Sequence, residues 1–177
     1  MLNRGKLVVS SIFMVALLMA VFAWWWNYER GRKSMEFWGR DAALLIRQAK
    51  DVELLRLIPV VTAGESAQTI DVGPVVYAVE RADISRAPGL LHARFALTED
   101  ASFEFYATPE NGGVLPTSYE DGNWQYAVRF NREGKSATVL FDFQNSRVGI
   151  AEEQRSARVI AKIVTGWQQF IARHLPP

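Results

Sequence analysis

Residues 124–143 read WQYAVRFNREGKSATVLFDF, and their alternation decides the fold. Trp124, Tyr126, Val128 and Phe130 fall on one side of an extended chain, as do Ala137, Val139, Phe141 and Phe143. Successive side chains of a strand point to opposite faces, so each run presents one apolar and one polar side. Asn131 to Gly134 supplies turn residues between the runs. The stretch predicts an antiparallel hairpin with one buried and one wet face.

The same pattern continues upstream. Leu91, Ala93, Phe95 and Leu97 share one face of a further run, and Phe103 and Phe105 share one face of the next. Thr98 to Ala101, Asn111-Gly112-Gly113 and Asp121-Gly122 are the connectors. Farther toward the N-terminus, Glu53 to Leu57 and Pro74 to Glu80 are rich in strand formers, with turn residues around Gly64 and Gly73. A mostly antiparallel meander is expected.

A helix is predicted on either side of this sheet. Ser34 can cap a lead-in helix running to about Lys50, whose Trp38, Ala42, Leu45 and Ala49 form one stripe. At the C-terminal end, Val159, Ile160, Ile163, Val164, Trp167, Phe170 and Ile171 form a continuous stripe of helical period. Glu152 and Glu153 precede it, Arg173 and His174 close it, and Pro176 stops it, each charge suiting the helix dipole. An apolar sheet face and an apolar helix stripe each need a cover. The predicted class is therefore α+β: an N-terminal membrane helix, a mostly antiparallel meander, a lead-in helix and a closing C-terminal amphipathic helix.

The membrane helix is read from residues 7–26, LVVSSIFMVALLMAVFAWWW, which carry no charge. At 1.5 Å per residue, about 20 helical residues cross a hydrocarbon core of roughly 30 Å. The expected organisation is a basic tail over 1–6, a span over 7–28, a basic juxtamembrane segment over 29–33 and one domain over 34–177. Trp24, Trp25, Trp26 and Tyr28 form an aromatic girdle at headgroup level, with Arg30, Arg32 and Lys33 as anchors behind them. A cleaved signal peptide is the competing reading, with Arg4 and Lys6 before the apolar run and Val21-Phe22-Ala23 as a cleavage site. The run exceeds the usual hydrophobic region of such peptides, and three tryptophans would follow the cut.

The count of Lys and Arg flanking the span favours a cytoplasmic domain, with Arg30, Arg32, Lys33 and Arg40 after it against Arg4 and Lys6 before it. The short tail and signal-anchor layout favour the opposite. The expectation adopted is a single-pass protein of the bacterial inner-membrane type with its domain on the extracytoplasmic side.

Composition narrows the function. Of 177 residues, 20 are Lys or Arg, 19 are Asp or Glu, two are His and none is Cys. Without Cys there is neither a disulfide framework nor a thiolate nucleophile nor a Cys-based zinc site. A net charge of +1 gives no bulk electrostatic case for nucleic acid. The two histidines, His92 and His174, lie far apart and match no metal-ligand spacing, and the glycines form neither a dinucleotide nor a Walker loop. No metal and no cofactor are expected.

The densest polar stretch runs from Arg81 through Asp83, Ser85, Arg86, Pro88 and Gly89 to His92 and Arg94. Arg81, Arg86, His92 and Arg94 form a candidate patch for an anionic ligand. Asp83, Ser85 and His92 hold the residue types of a hydrolase triad without the strained elbow that positions such a serine. On the expected wet face of the sheet, His92, Arg94, Glu104, Tyr106, Gln125, Arg129, Thr138 and Asp142 come together, as cross-strand polar pairs do on any exposed sheet. No catalytic residue is assigned.

The short basic head, the long apolar helix and the antiparallel sheet resemble a type IV pilin or pseudopilin over residues 1–50 and the strand order. Such a resemblance implies a pilin-like subunit. The sequence departs from that pattern where Lys6 follows Gly5, where no Glu stands five residues after Gly5, and in its closing helix. The expected function is a non-catalytic interaction or scaffold domain at the membrane surface, partnered by the bilayer and by another membrane or envelope protein. The second reading is a membrane-tethered hydrolase or anionic-ligand module using Arg81 to Arg94.

Overall fold

The hairpin read from residues 124–143 forms in the computed structural model, which describes residues 4–29, 31–59, 69–72, 75–104 and 119–175. Its strands are β4 (Tyr126–Arg132) and β5 (Lys135–Asp142), in antiparallel register with Tyr126 opposite Phe141, Val128 opposite Val139 and Phe130 opposite Ala137. Before them come α1 (Arg4–Glu29), α2 (Arg32–Trp38), α3 (Arg40–Gln48), β1 (Asp51–Pro59), β2 (Thr69–Val72), β3 (Val75–Asp83), α4 (Leu90–Thr98) and a 3-10 turn at Asp100–Ser102. After them come β6 (Arg147–Ile150), β7 (Arg155–Arg158) and α5 (Ala161–His174). The strands make one antiparallel sheet in the order β2-β3-β1-β4-β5-β6-β7, and the class is α+β.

Helices α2 to α5 cover one sheet face. Val52, Leu54, Val128, Phe130, Val139, Phe141 and Val148 point into that layer and meet Phe37, Trp38, Ile46, Leu97, Trp167 and Ile171. The predicted C-terminal stripe is present in α5, where Val164, Trp167, Phe170 and Ile171 are buried. The opposite face carries a smaller cluster of Leu55, Leu57, Val72, Tyr77, Ala127 and Leu140, capped by Tyr119 and Trp124.

Several expectations are corrected. The run Leu91 to Leu97 is a helix, α4, not a strand. Its alternation coexists with a helical stripe of Leu90, Ala93 and Leu97, and that stripe is the one packed in the core. Consequently Leu91 and Phe95, two of the four residues expected on a buried strand face, stand exposed. The next predicted strand reduces to an isolated antiparallel bridge between Phe103 and Val159; Phe105 and Tyr106 lie outside the described residues, as do the connector Asn111-Gly112-Gly113 and Gly64 and Gly73.

The single lead-in helix is two helices. Gly39, at φ +72° and ψ 160°, holds a conformation essentially closed to other residues, and it breaks the run between α2 and α3. Ser34 does not cap: it is buried inside α2 and its hydroxyl donates to the carbonyl of Thr98 at 2.8 Å. The N-terminal donors of α2 are met instead from far along the chain, with the amides of Lys33 and Ser34 bonding the Asp100 carboxylate at 3.1 and 2.7 Å.

Strands β2, β6 and β7 have no counterpart among the sequence expectations; each has four residues, too few for alternation to register. Strand β1 pairs with both β3 and β4 and so lies between them, and only β4 to β7 run as a meander. Glu152 and Glu153 stand before β7 rather than at a helix start, and the Glu152 carboxylate accepts the amide of Thr138 at 3.0 Å. The wet face is also only partly wet. Trp124 precedes β4 and turns onto the opposite face from Val128 and Phe130, close enough to Gly149 that a Cβ there would sit 2.9 Å from its ring.

Candidate functional site

Structure scatters the polar stretch from Arg81 to Arg94 around the end of β3 and the start of α4. Arg81 lies on β3, on the sheet face away from the helices, and Glu53 stands 3.9 Å from Arg81 and 4.0 Å from Arg129. Pairs this long and this exposed contribute about 0–1 kcal/mol. Arg86 is in the exposed turn after β3. Arg94 turns inward: its Nη2 donates to the carbonyl of Ala49 at 2.8 Å, and its guanidinium stands 5.6 Å over the Phe130 ring. Burial holds Arg94 below the ordinary arginine pKa. His92 lines a groove between α4 and α5 of about 310 Å³, together with Lys162 and Arg173.

Ser85 is engaged by the backbone. Its Oγ accepts the amide of Val52 at 2.8 Å and donates to Asp83 Oδ1 at 2.6 Å, while its own amide bonds the same oxygen at 2.9 Å. These bonds hold the Asp83 carboxyl below the usual carboxylate range. Among the described residues no hydrogen bond joins Ser85 to His92, so Asp83, Ser85 and His92 do not make the relay a serine nucleophile needs. Asp83 and Ser85 instead make a clasp that ends β3 beside β1.

Of the polar residues expected on the wet face, Arg129 is there and the rest divide. His92 and Arg94 are on α4, a correction that follows from the helix. Asp142 is fully buried, another correction: it accepts the amides of Asn123 and Asn145, each at 3.1 Å, and the Asn145 side chain at 2.7 Å. Thr138 is buried too, and Gln125 accepts the amide of Phe143 at 3.1 Å. On the covered part of this face, burial raises the hydroxyls of Tyr77 and Tyr119 above the ordinary tyrosine range.

At the N-terminal end, Trp24, Trp25, Trp26 and Tyr28 stand exposed on the last turns of α1, Arg32 and Lys33 open α2, and Arg30 lies outside the described residues. The helix contains an 18-residue window, Val9–Trp26, long and apolar enough to cross a membrane, none of it buried against the rest of the chain. Between this end of α1 and the domain lies a cleft of about 560 Å³. Trp24 and Tyr28 form one wall, and Met35, Trp38, Arg40 and Arg47 line the other side. Of the α3 residues in it, Arg40 is read in the sequence only as a charge flanking the span and Arg47 not at all, although Arg40, Leu44 and Arg47 have the spacing of one outward helix face.

Among the described residues, no group of three or more His, Asp or Glu is placed to hold a metal ion. No family model, curated protein or solved structure matches the chain.

Proposed function

We propose that the chain is a single-pass membrane protein, anchored by residues 7–28, whose α+β domain serves as a non-catalytic interaction or scaffold domain at the membrane surface. One observation carries the reading: the 18 residues from Val9 to Trp26 are apolar and wholly uncovered by the domain. A core helix of a soluble protein is apolar on the face it buries, whereas this one is exposed on every side. The aromatic residues at its end and the basic residues after it suit the headgroup zone.

The non-catalytic part of the proposal draws on the fate of the best nucleophile. The Ser85 hydroxyl is committed to Val52 and Asp83. The extracytoplasmic placement in a bacterial-type inner membrane is part of the same proposal.

Crosslinking of the full chain in intact membranes tests it, followed by identification of what is joined to the domain. Recovery of one recurrent membrane complex, unchanged when Ser85 and His92 are replaced by Ala and abolished when residues 7–26 are deleted, is expected. A clean monomer under several crosslinkers, or loss of phenotype in the Ser85→Ala variant with its fold intact, contradicts the scaffold reading.

A further inference from the structure

Four large apolar side chains outside α1 stand exposed among the described residues: Met35 at 43%, Leu44 at 46%, Leu91 at 63% and Phe95 at 50%. All four lie on α2, α3 and α4, in the layer over one sheet face. Each of these helices buries its other side, through Phe37 and Trp38, Leu45 and Ile46, and Leu90 and Leu97. The exposed residues therefore point away from the sheet. Leu91 and Phe95 are one helical turn apart and share a face. Leu44 is flanked on its own face by Arg40 and Arg47.

The α2 and α3 part of this outer side adjoins the anchor. Trp24 and Tyr28, at the aromatic end of α1, line the same cleft as Met35, Arg40 and Arg47. The cleft is basic, with Arg32, Arg40 and Arg47 against Glu36. The one acid of α3, Asp41, lies 3.9 Å from Lys135 at the β4–β5 turn. Apolar side chains interleaved with arginines, beside a helix end rich in tryptophan, are what a bilayer interface takes up.

We propose that the outer side of the α2–α4 layer lies against the bilayer surface. Leu44, Leu91 and Phe95 enter the interfacial zone, and the Arg40 and Arg47 wall of the cleft faces the phosphate of an anionic lipid. The proposal rests on the anchored reading and adds which face of the domain meets the membrane. The opposite sheet face, around Tyr119 and Trp124, is thereby left toward the aqueous side.

The chain has no Cys, so single cysteines can be introduced without background. Full-length Leu91→Cys, Phe95→Cys, Met19→Cys and Glu120→Cys variants, each carrying an environment-sensitive fluorophore, are placed in nanodiscs of phosphatidylcholine with or without phosphatidylglycerol. Quenching is then measured with lipids spin-labelled near the headgroup for positions 91, 95 and 120, and deep in the acyl chain for position 19. Labels at 91 and 95 are expected to be quenched about twofold or more above the label at 120. Arg40→Gln with Arg47→Gln is expected to reduce quenching at 91 only in the discs that contain phosphatidylglycerol.

Quenching at 19 with none at 91 and 95 beyond that at 120 overturns the proposal and leaves the anchor standing. A blue-shifted but unquenched label at 91 overturns it in favour of a protein cover. Absence of quenching at 19 removes the anchored reading as well. An arginine effect equal in both disc types overturns the anionic-lipid role of the cleft.

Discussion

The guanidinium of Arg94 donates to the carbonyl of Ala49 across 2.8 Å, tying the middle of α4 to the end of α3. Helix C-terminal carbonyls lack partners within the helix, and a cation there is favoured by the dipole. Arg94 also covers the Phe130 ring, so one side chain joins two helices to the sheet.

Replacing Arg94 with Ala is expected to destabilise the domain by about 2–3 kcal/mol, from one charge-assisted hydrogen bond and one cation–π contact. Lys at this position should recover only part of the loss, because it lacks the planar fork. Chemical denaturation of the full chain in detergent, followed by circular dichroism, measures both. An Arg94→Ala variant as stable as the wild type would show that the tie is incidental.

Asp142 makes a second prediction. Its buried carboxylate takes three donors, two from the backbone amides of Asn123 and Asn145 and one from the Asn145 side chain. Asp142→Ala leaves those amides without an acceptor, and a loss of about 2–4 kcal/mol is expected. Asp142→Asn should lose less, since one oxygen remains. The same denaturation experiment checks the order.

Legibility in the sequence divides along a physical line. The β4–β5 hairpin and the α5 stripe are readable because each has enough residues for its period to show and a buried face to enforce it. The stretch from Leu90 to Leu97 satisfies both periods, and only packing beneath α4 decides between them. Lys33 and Ser34 find their capping partner at Asp100, which no local pattern could reveal. Among candidate site residues, local spacing groups Arg81 with Arg94, whereas chain geometry sends one to the outer sheet face and the other beneath a helix. Of the arginines in the α1–α3 cleft, Arg32 and Arg40 are read in the sequence only as charges flanking the span and Arg47 not at all, for a related reason: their place in a cleft comes only from the wall opposite.

The Asp83–Ser85 clasp predicts a pH effect. Hydrogen bonds from Ser85 lower the folded-state pKa of Asp83 below the unfolded value of about 3.9. The folded state therefore binds fewer protons in this range, and the clasp contributes stability fully above the unfolded pKa. That contribution is lost as the pH falls through the folded value. Asp83→Asn is expected to lower stability at neutral pH and to converge with the wild type in acid. Stability curves that stay parallel from neutral pH into acid, with a constant offset between the two proteins, would contradict this reading.

Alkaline carbonate extraction of membranes containing the full chain tests the central claim most directly. The account predicts that the uncut polypeptide stays in the sedimented membranes and is released only by detergent. A variant lacking residues 7–26 should move to the supernatant with its domain folded. Uncut full-length chain in the alkaline supernatant would contradict the account.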